Sequence, residues 1–600
     1  MPSNVGAKLA AALRKTPVVL GLTLALLMGP LLLDLFCYPI SIQRRLFAYS
    51  APDTFYYLTV ARNIGLHGHF SFDGEHLSNG YHPFWQVLVA IPYALRLVSA
   101  NSIWVLAILL GMEFVLQSAA LWLWSRIFRR PDGTLSWLFV ALPAGLYALL
   151  ICPAWLARSA DVLSRENPSE GAEPVYGSLW SYFNGMETSL VLFFFALVSY
   201  LATRDKPLAR PIALGLALTG LVFSRLDQGL IALPILVGIA FDHMRQAEPW
   251  RERLKAPAKA ALAFGLPLVA YLLLNHFLIG SALPISGRMK STFPFINFEN
   301  MDVARRWFND AIRLRVYRLD DHWRVLQIWI PIFFAVLAPL VVFRLRLRRN
   351  RMIITWPKEA PRRGGLLLMT SFGIVALGLY DFLFVLVYGV GHWYFPISTL
   401  FVSLLALHGA ERLRLAWIAR WMQKEETPRR ARLRRITRLA IPVMLVATIA
   451  ALFPVFHRMP NYHLKYAQFA LDDGPAFRQF AQENDVKILD CDDGIVAWVA
   501  NVPAMSATGL GLDPEAAQAR TTTTSNSNLM QLAMKRGYFY AATLVYVDMS
   551  RLKSGSSREL LTWMSTTGAF LQLGHLNEYT WRLAYLTPKR DFAVLQAKAK

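Results

Sequence analysis

The run PVVLGLTLALLMGPLLLDLFCYPI, residues 17–40, is the first of the long apolar stretches that decide the fold. It has about 24 residues, and roughly 20 are enough to cross a bilayer. Basic residues precede it, at Lys8, Arg14 and Lys15. Because the run is longer than the apolar core of a signal peptide, it predicts an uncleaved first transmembrane helix.

Apolar runs of similar length recur along most of the chain. Its 600 residues are 55% hydrophobic and only 17% charged, whereas soluble globular domains are about 25% charged. The repetition predicts a polytopic α-helical membrane protein with about 11 transmembrane helices. The predicted spans are 17–40, 101–127, 134–157, 189–203, 211–224, 229–242, 257–279, 326–343, 365–388, 394–410 and 439–456.

The net charge of +23 lies mostly in loops between these spans. An odd number of spans places all the strongly basic loops on one side, which the positive-inside rule makes the cytoplasm. These loops are 126–130, 204–210, 243–255, 344–363 and 411–438. We therefore predict a cytoplasmic N-terminus, an extracytoplasmic C-terminus and contact with anionic lipids. Nucleic acid is not an expected partner, because no module with a groove of basic and aromatic residues is visible.

Two segments depart from the pattern of spans. Residues 84–99 are apolar but short and contain Pro92 and Arg96, so we predict an interfacial or re-entrant helix there. The transmembrane part, 1–456, contains this helix within a first outer loop at 41–100. Residues 457–600 alternate short apolar runs with turns and predict a soluble extracytoplasmic α/β domain. Its expected helices are 474–483 and 558–566, and its expected strands are 543–547 and 579–586.

The first outer loop contains the residues that best indicate chemistry. Asp53 follows the first span and begins a predicted amphipathic helix that also contains Tyr56, Tyr57 and Asn63. A carboxylate at a membrane surface can take the proton of an acceptor hydroxyl as a general base. Aspartate is also a preferred helix N-cap, so the sequence leaves both interpretations of Asp53 open.

Eight short motifs, in this order, resemble those of bacterial GT-C superfamily glycosyltransferases, of the mannosyltransferase and arabinosyltransferase kind. They are PDxxYYLxxARN at 52–63, FSFDG at 70–74, NGYHPFW at 79–85, GMET at 185–188, SRLD at 224–227, LPISGR at 283–288, HWYFP at 392–396 and DDGI at 492–495. The resemblance covers nearly the whole chain, and the order of the motifs is more specific than any one of them.

The resemblance implies an enzyme that transfers a sugar from a polyprenyl-phosphate donor on the extracytoplasmic face of the bacterial inner membrane. The acceptor would be an envelope glycan, a glycolipid or a protein. Pro52 occupies the first position of the family's Asp-Asp pair, which leaves Asp53 as the single catalytic carboxylate. The resemblance therefore implies inversion with one base and argues against a two-carboxylate metal site. No cofactor is indicated, and dependence on a divalent metal stays open.

The leaving group would be a lipid phosphate, so cationic side chains near the outer face are candidate ligands. Arg288 and Lys290 follow the seventh span, and Arg225 lies at the outer end of the fifth. Each is either a phosphate ligand or a side chain that extends to the membrane interface, and Arg225 can instead form an ion pair with Asp227.

Other candidate substrate-binding residues also have two interpretations each. Tyr57 follows Asp53 on the same predicted helix, and His82 orients either Asp53 or the acceptor. Glu187 either binds a sugar hydroxyl or ties the outer loop in place. His392 and Tyr394 either meet the donor phosphate or belong to an aromatic belt.

Carboxylates elsewhere indicate structure more than chemistry. Asp381 lies inside an apolar span and therefore needs a partner, either a Tyr or Arg of a neighbouring span or a ligand. Asp490, Asp492 and Asp493 indicate either a solvated turn or a calcium site. Cys37, Cys152 and Cys491 form neither a CxxC motif nor a zinc spacing.

Two other classes of protein compete with the glycosyltransferase interpretation. A transporter or flippase usually has internal repeats and charges in mid-membrane, whereas here nearly all candidates lie at outer ends of spans. A non-catalytic envelope assembly protein would use its outer domain to bind partners. Retained folding with lost activity in Asp53→Ala separates the enzyme from the assembly protein.

Overall fold

The computed structural model describes most of the chain. The described residues are 16–37, 41–129, 133–135, 139–140, 142, 182–245, 249–312, 323–348, 351–355, 361–385, 394–422, 467, 469–490, 494–507, 511–521, 526–538, 540–546, 569–576 and 579–585.

Helices make up most of the described part. Up to residue 422 they are α1 Thr16–Cys37, α2 Ile42–Tyr49, α3 Thr54–His67, α4 Pro83–Ala94, α5 Trp104–Phe128, α6 Thr188–Ala202, α7 Pro211–Ser224, α8 Gly229–Met244, α9 Trp250–Ile279, α10 Ile285–Lys290, α11 Phe298–Ile312, α12 Trp323–Val342, α13 Pro361–Phe384 and α14 Pro396–Met422. Short 3-10 turns at Pro207–Ala209 and Leu226–Gln228 precede α7 and α8.

Four helical segments within the described residues are long and apolar enough to cross a membrane. They are Trp104–Phe128, Leu226–Met244, Trp250–Ile279 and Arg363–Phe384, and shorter apolar helices occupy Thr16–Gly29, Thr188–Ala202, Pro211–Ser224 and Ile328–Val342. Each coincides with a predicted span. The predicted span 439–456 and nearly all of 134–157 lie outside the described residues, so the total of about 11 stays a prediction.

The apolar segment after residue 83 forms α4, which has 12 residues and ends before Arg96. This is shorter than the roughly 20 residues that a transmembrane helix needs, and its interfacial or re-entrant location stays a prediction. The predicted basic loop at 344–363 connects α12 to α13. Within it, Arg344–Arg348 (β1) and Arg351–Thr355 (β2) pair as an antiparallel hairpin.

The prediction of an amphipathic helix after Asp53 is wrong. Every residue of α3 from Thr54 to Arg62 is buried, so the helix has no solvent-facing side over this length. The reason is that α4 packs on α3 from one side while a C-terminal helix, Ile495–Ala500, covers it from another. The polar side chains of α3 therefore make their contacts inside the protein.

A C-terminal α/β region spans residues 467–585. Its elements are α15 Gly474–Glu483, β3 Ile488–Asp490, α16 Ile495–Ala500, β4 Ala504–Ser506, α17 Pro514–Thr521, α18 Asn526–Lys535, β5 Tyr540–Tyr546, β6 Ala569–Leu576 and β7 Tyr579–Tyr585. The strands form a five-stranded mixed sheet with the order β4-β3-β5-β7-β6. Strand β3 is parallel to β4 and β5, and β7 is antiparallel to β5 and β6.

The structure has a helix at 474–483 and strands that match the two predicted strands to within a few residues. The predicted helix 558–566 lies outside the described residues. The boundary of the predicted domain and its extracytoplasmic location stay predictions.

Candidate active site at the start of helix α3

Asp53 occupies the N-cap position of α3, but its side chain makes no capping hydrogen bond. Its backbone has right-handed helical angles, φ −59° and ψ −19°, rather than the extended angles typical of an N-cap. This geometry argues against the capping interpretation of Asp53, because the side chain does not make the hydrogen bond that would stabilise a cap. The carboxylate is available for another partner, and the helix N-terminus favours its negative charge.

Lys290, at the end of α10, is a cation close to that carboxylate. Its Nζ lies 3.7 Å from Asp53 Oδ2, and the two side chains are 27% and 15% exposed. Lys290 Nζ also lies 5.9 Å from the centre of the Tyr394 ring. Two of the predicted site residues, 237 positions apart in sequence number, thus form a partly exposed pair of opposite charges.

Arg225 ends α7 as a buried cation that is fixed on two sides. Its Nε and Nη2 donate to Asp227 Oδ2 over 3.1 and 2.5 Å, and its guanidinium lies 3.9 Å from the centre of the Tyr394 ring. Gln228 Nε2 donates to the other oxygen of Asp227 over 2.9 Å. Burial disfavours the charge, but Asp227, Tyr394 and Glu187 together outweigh it and raise the pKa of Arg225. The predicted ion pair of Arg225 and Asp227 is present.

Glu187 precedes α6 and is buried next to Tyr57 and His82. Tyr57 Oη donates to Glu187 Oε2 over 3.4 Å and accepts from the backbone N–H of His82 over 3.3 Å. Burial raises the pKa of Glu187 to about 7, even though Arg225 lowers it. These contacts join α3, the start of α4 and the start of α6, which is the tying role that one interpretation assigned to Glu187.

His82 is neutral at pH 7, because burial and the nearby charges of Arg225 and Lys290 lower its pKa to about 3. Its Nε2 lies 3.6 Å from Glu187 Oε1, so the contact joins a neutral imidazole to a carboxyl group. Among the described residues its Nδ1 is buried without a hydrogen-bond partner. In this structure His82 contacts Glu187, whereas its predicted role in orienting Asp53 stays a prediction.

Gly185 allows the segment before α6 to pack closely against the start of α3. Its φ is +80°, and a Cβ there would lie 2.5 Å from Thr54 Cγ2, so only glycine fits without strain. Thr54 Oγ1 donates to the Asn184 carbonyl over 2.7 Å, and Trp85 Nε1 donates to the Gly185 carbonyl over 3.1 Å. The motif at 185–188 therefore fixes the first turn of α3, directly after Asp53.

Asn79, in the motif at 79–85, has a role that its sequence context did not indicate. Its Oδ1 accepts from the backbone N–H of Ile285 over 3.1 Å, and its Nδ2 donates to the Ser281 carbonyl over 3.4 Å. Asn79 thereby satisfies a free N–H at the start of α10, the helix that carries Lys290. The one signal in the sequence was a polar residue beside an apolar segment, which is too common to indicate a cap.

The remaining predicted site residues lie in less definite surroundings. Arg288 is exposed, and its Nη1 is 3.5 Å from Ser281 Oγ. Asp381 is buried in α13 and interacts electrostatically with Asp227 and Arg225. His392 lies outside the described residues.

The sequence assigned three carboxylates, among them Asp490, either to a solvated turn or to a calcium site. Asp490 has a structural role. Asp490 is fully buried, and its Oδ2 accepts from the backbone N–H of Ala497 over 2.8 Å. Asp492 and Asp493 are outside the described residues. Within the described part of the chain, no cluster of three His, Cys, Asp or Glu side chains has a geometry suited to a metal ion.

No family model matches the chain, and no curated protein matches it. A solved structure of ArnT from Cupriavidus metallidurans bound to undecaprenyl phosphate aligns with 90% of this chain and 95% of that one, at 11% identity and a TM-score of 0.47. The apo state of ArnT aligns with 91% and 97%, at 11% identity and a TM-score of 0.45. At TM-scores below 0.5 these likenesses support no conclusion about the site or the substrate.

The geometry of the site allows acid-base chemistry beside an anion. Asp53 is a carboxylate without a capping bond, Lys290 is a cation within 4 Å of it, and Arg225 is a second, buried cation nearby in the same electrostatic cluster. Such a set can remove a proton from a hydroxyl group and stabilise an adjacent phosphate.

Proposed function

We propose that the chain is a membrane glycosyltransferase that moves a sugar from a polyprenyl phosphate to an acceptor hydroxyl outside the cytoplasm. The observation that carries this proposal is the pairing of Asp53 with Lys290 at 3.7 Å, with no capping bond on Asp53. A helix cap would not need a cation beside it, whereas a base that acts next to a phosphate would have one.

In the proposed reaction, the acceptor hydroxyl attacks the anomeric carbon and its proton passes to an Asp53 carboxylate oxygen. The bond from that carbon to the phosphate oxygen breaks, and the polyprenyl phosphate leaves with both bonding electrons. One displacement inverts the configuration at the anomeric carbon. Lys290 stabilises the charge that builds on the phosphate, and Arg225 adds a fixed positive charge nearby.

Glu187, Tyr57 and His82 support this chemistry as a buried framework. Their contacts hold α3 against α4 and α6, so the Asp53 backbone has little freedom. Both cations lie near the same aromatic ring, since the Arg225 guanidinium is 3.9 Å and Lys290 Nζ is 5.9 Å from the centre of the Tyr394 ring. We place Arg288 at the edge of the site, where its exposed side chain can meet a phosphate from the membrane side.

The location we propose is the bacterial inner membrane, with the site and the C-terminal α/β region on the extracytoplasmic face. The apolar helices support a membrane protein, and the basic loops support this orientation. Reporter fusions at Lys600 and within 425–435 are expected to lie on opposite sides of the membrane. Two reporters on the same side would contradict the orientation.

The proposed activity is tested in cells that lack this chain. Mass spectrometry of their envelope glycolipids, glycans and proteins should show the loss of one sugar modification. The wild-type chain should restore it, and Asp53→Asn at equal membrane abundance should not. An unchanged envelope in the deletion strain, or full restoration by Asp53→Asn, would contradict the proposal.

A further inference from the structure

The C-terminal α/β region touches the helix that begins beside Asp53. Gly494, just before α16, has φ +85°, and a Cβ there would lie 2.8 Å from the backbone nitrogen of Tyr56. Real Cβ atoms essentially never approach that closely, so the contact requires glycine at this position. Tyr56 lies in the first turn of α3, one turn or less from Asp53.

Trp498, on α16, is the largest side chain in this contact. It is 2% exposed, and its ring lies 5.5 Å from the Phe55 ring and 6.2 Å from the Phe47 ring, measured between centres. Its Nε1 donates to Tyr93 Oη over 3.2 Å. One side chain from the C-terminal region is therefore fixed by α2, α3 and α4 together.

Polar contacts at the end of α16 reinforce the same interface. The last carbonyls of a helix have no partner within the helix, and here residues from the membrane part supply donors. Arg62 Nη1 donates to the Trp498 carbonyl over 3.0 Å, and Asn101 Nδ2 donates to the carbonyls of Trp498 and Val499 over 3.0 and 2.8 Å. Burial lowers the pKa of Arg62 to about 10, which reflects how far the contact excludes water.

A second contact joins the C-terminal region to α10. Ile285, at the start of α10, is 1% exposed and packs in an apolar cluster of the C-terminal region. Met289, on the same short helix, packs against that cluster from outside. The cluster members contributed by the C-terminal region are Leu489, Met505, Leu512, Ala516, Leu529, Leu532, Ala533 and Tyr538. Lys290 follows Met289 directly, so this packing fixes the helix that carries it.

We propose that the C-terminal α/β region is a positioning domain that sets the distance between Asp53 and Lys290. It holds α3 through Gly494 and Trp498 and holds α10 through Ile285, and the two charges lie at the ends of those helices. The catalytic meaning of that distance rests on the proposed function. The positioning itself is a physical claim about the two helices and can be tested without turnover.

Hydrogen exchange of the full-length chain in lipid nanodiscs tests the positioning. Trp498→Ala removes the packing against Phe47 and Phe55, and we expect the amides of 54–57 to exchange on the order of tenfold faster or more. Ile285→Ala should do the same for the amides of 286–290. Trp498→Phe, which keeps an aromatic ring but loses the bond to Tyr93, should restore most of the protection at 54–57.

Trp124→Ala is the matched control, because it truncates another buried tryptophan that packs on Phe195 between α5 and α6. It should leave exchange at 54–57 and 286–290 unchanged. Unchanged exchange at 54–57 in Trp498→Ala, or equal acceleration in Trp124→Ala, would overturn the proposal.

A distance measurement separates positioning from general loosening. Spin labels at single introduced cysteines on α3 and α10, in a chain without its three native cysteines, should give one narrow distance distribution. Gly494→Ala, which forces a Cβ against α3, should shift or broaden that distribution. Identical distributions in the wild type and in Gly494→Ala would overturn the positioning role.

Kinetics then show whether the proposed function and the positioning fail together. With undecaprenyl-phosphate-linked sugar as the probe, Trp498→Ala should lower kcat at least about tenfold while leaving KM for the donor within about threefold. A wild-type chain with no transferase activity would contradict the proposed function, and the exchange and distance results would still decide the positioning. A rise in donor KM at constant kcat in Trp498→Ala would instead show donor binding by this region and overturn the inference.

Discussion

Asp53 and Glu187 occupy the same kind of position in two helices but have opposite surroundings. Each is an N-cap residue with right-handed helical angles and no capping hydrogen bond, one before α3 and one before α6. Asp53 is partly exposed beside Lys290, whereas Glu187 is buried among Tyr57 and His82. The environment of a carboxylate is therefore set neither by residue type nor by position on a helix. It is set by neighbouring residues from distant parts of the chain.

The largest effect we expect is on turnover in Asp53→Asn. Asparagine caps a helix about as well as aspartate but cannot act as a carboxylate base, so turnover should fall by about 10²–10⁴. Thermal unfolding of the purified protein should change little, since the side chain makes no capping bond. Near-normal turnover would contradict the proposed role of Asp53 as the base and make Glu187 the candidate instead.

The cations beside Asp53 should give the next largest effect. Removing a charge-assisted contact to phosphate costs about 1.5–3 kcal/mol, or about tenfold to a hundredfold in kcat/KM. We expect Lys290→Ala near the upper end of this range and Arg288→Ala near the lower end, because Lys290 lies within 4 Å of Asp53 whereas Arg288 is exposed.

Arg305→Ala is a suitable control for charge alone. It removes an exposed arginine whose ion pair within the described residues is to Asp302 of the same helix. Donor titrations of the three purified variants should therefore separate a local phosphate contact from a general loss of positive charge. Equal kinetics in Lys290→Ala and Arg305→Ala would remove Lys290 from the site.

Glu187→Gln should alter the pH dependence of stability. The pKa of Glu187 is about 7 in the folded chain, against 4.5 for an ordinary glutamate. Between these values the unfolded chain loses the proton and the folded chain keeps it, so stability falls as pH rises from 4.5 to 7 and is level above. The total fall from this group is about 3 kcal/mol at most.

Glutamine cannot ionise, so Glu187→Gln should lose this part of the pH dependence while keeping a partner for Tyr57. Thermal unfolding of both proteins at several pH values from 4.5 to 8 measures the difference. Parallel curves would show that Glu187 is ionised in the folded chain and would remove the contrast with Asp53.

Tyr57→Phe should have the smallest effect. It removes the hydroxyl that links Glu187 to the backbone of His82, at a cost of about 0.5–1.5 kcal/mol per hydrogen bond. We expect a lower midpoint of thermal unfolding and a change in turnover of less than about tenfold. A loss of turnover as large as that in Asp53→Asn would show that Tyr57 contacts the reacting groups directly.

Elements whose signal is local could be predicted from the sequence alone. A run of apolar residues predicts a helix wherever it lies, because the membrane requires each span to satisfy its own backbone hydrogen bonds. The helices at 188–202 and 211–224 and the short helix after residue 83 were predictable for this reason. The start of a helix at Asp53 was predictable as well, whereas the catalytic role of this carboxylate stays a prediction.

Which of these residues contact one another depends on the tertiary structure. Glu187 contacts Tyr57 across 130 positions, and Arg62 bonds to Trp498 across 436. Such contacts depend on how helices pack, and the periodicity of one segment does not encode the neighbours of another. The same reason explains why the amphipathic helix predicted at α3 is instead buried, since α4 and α16 both pack against it.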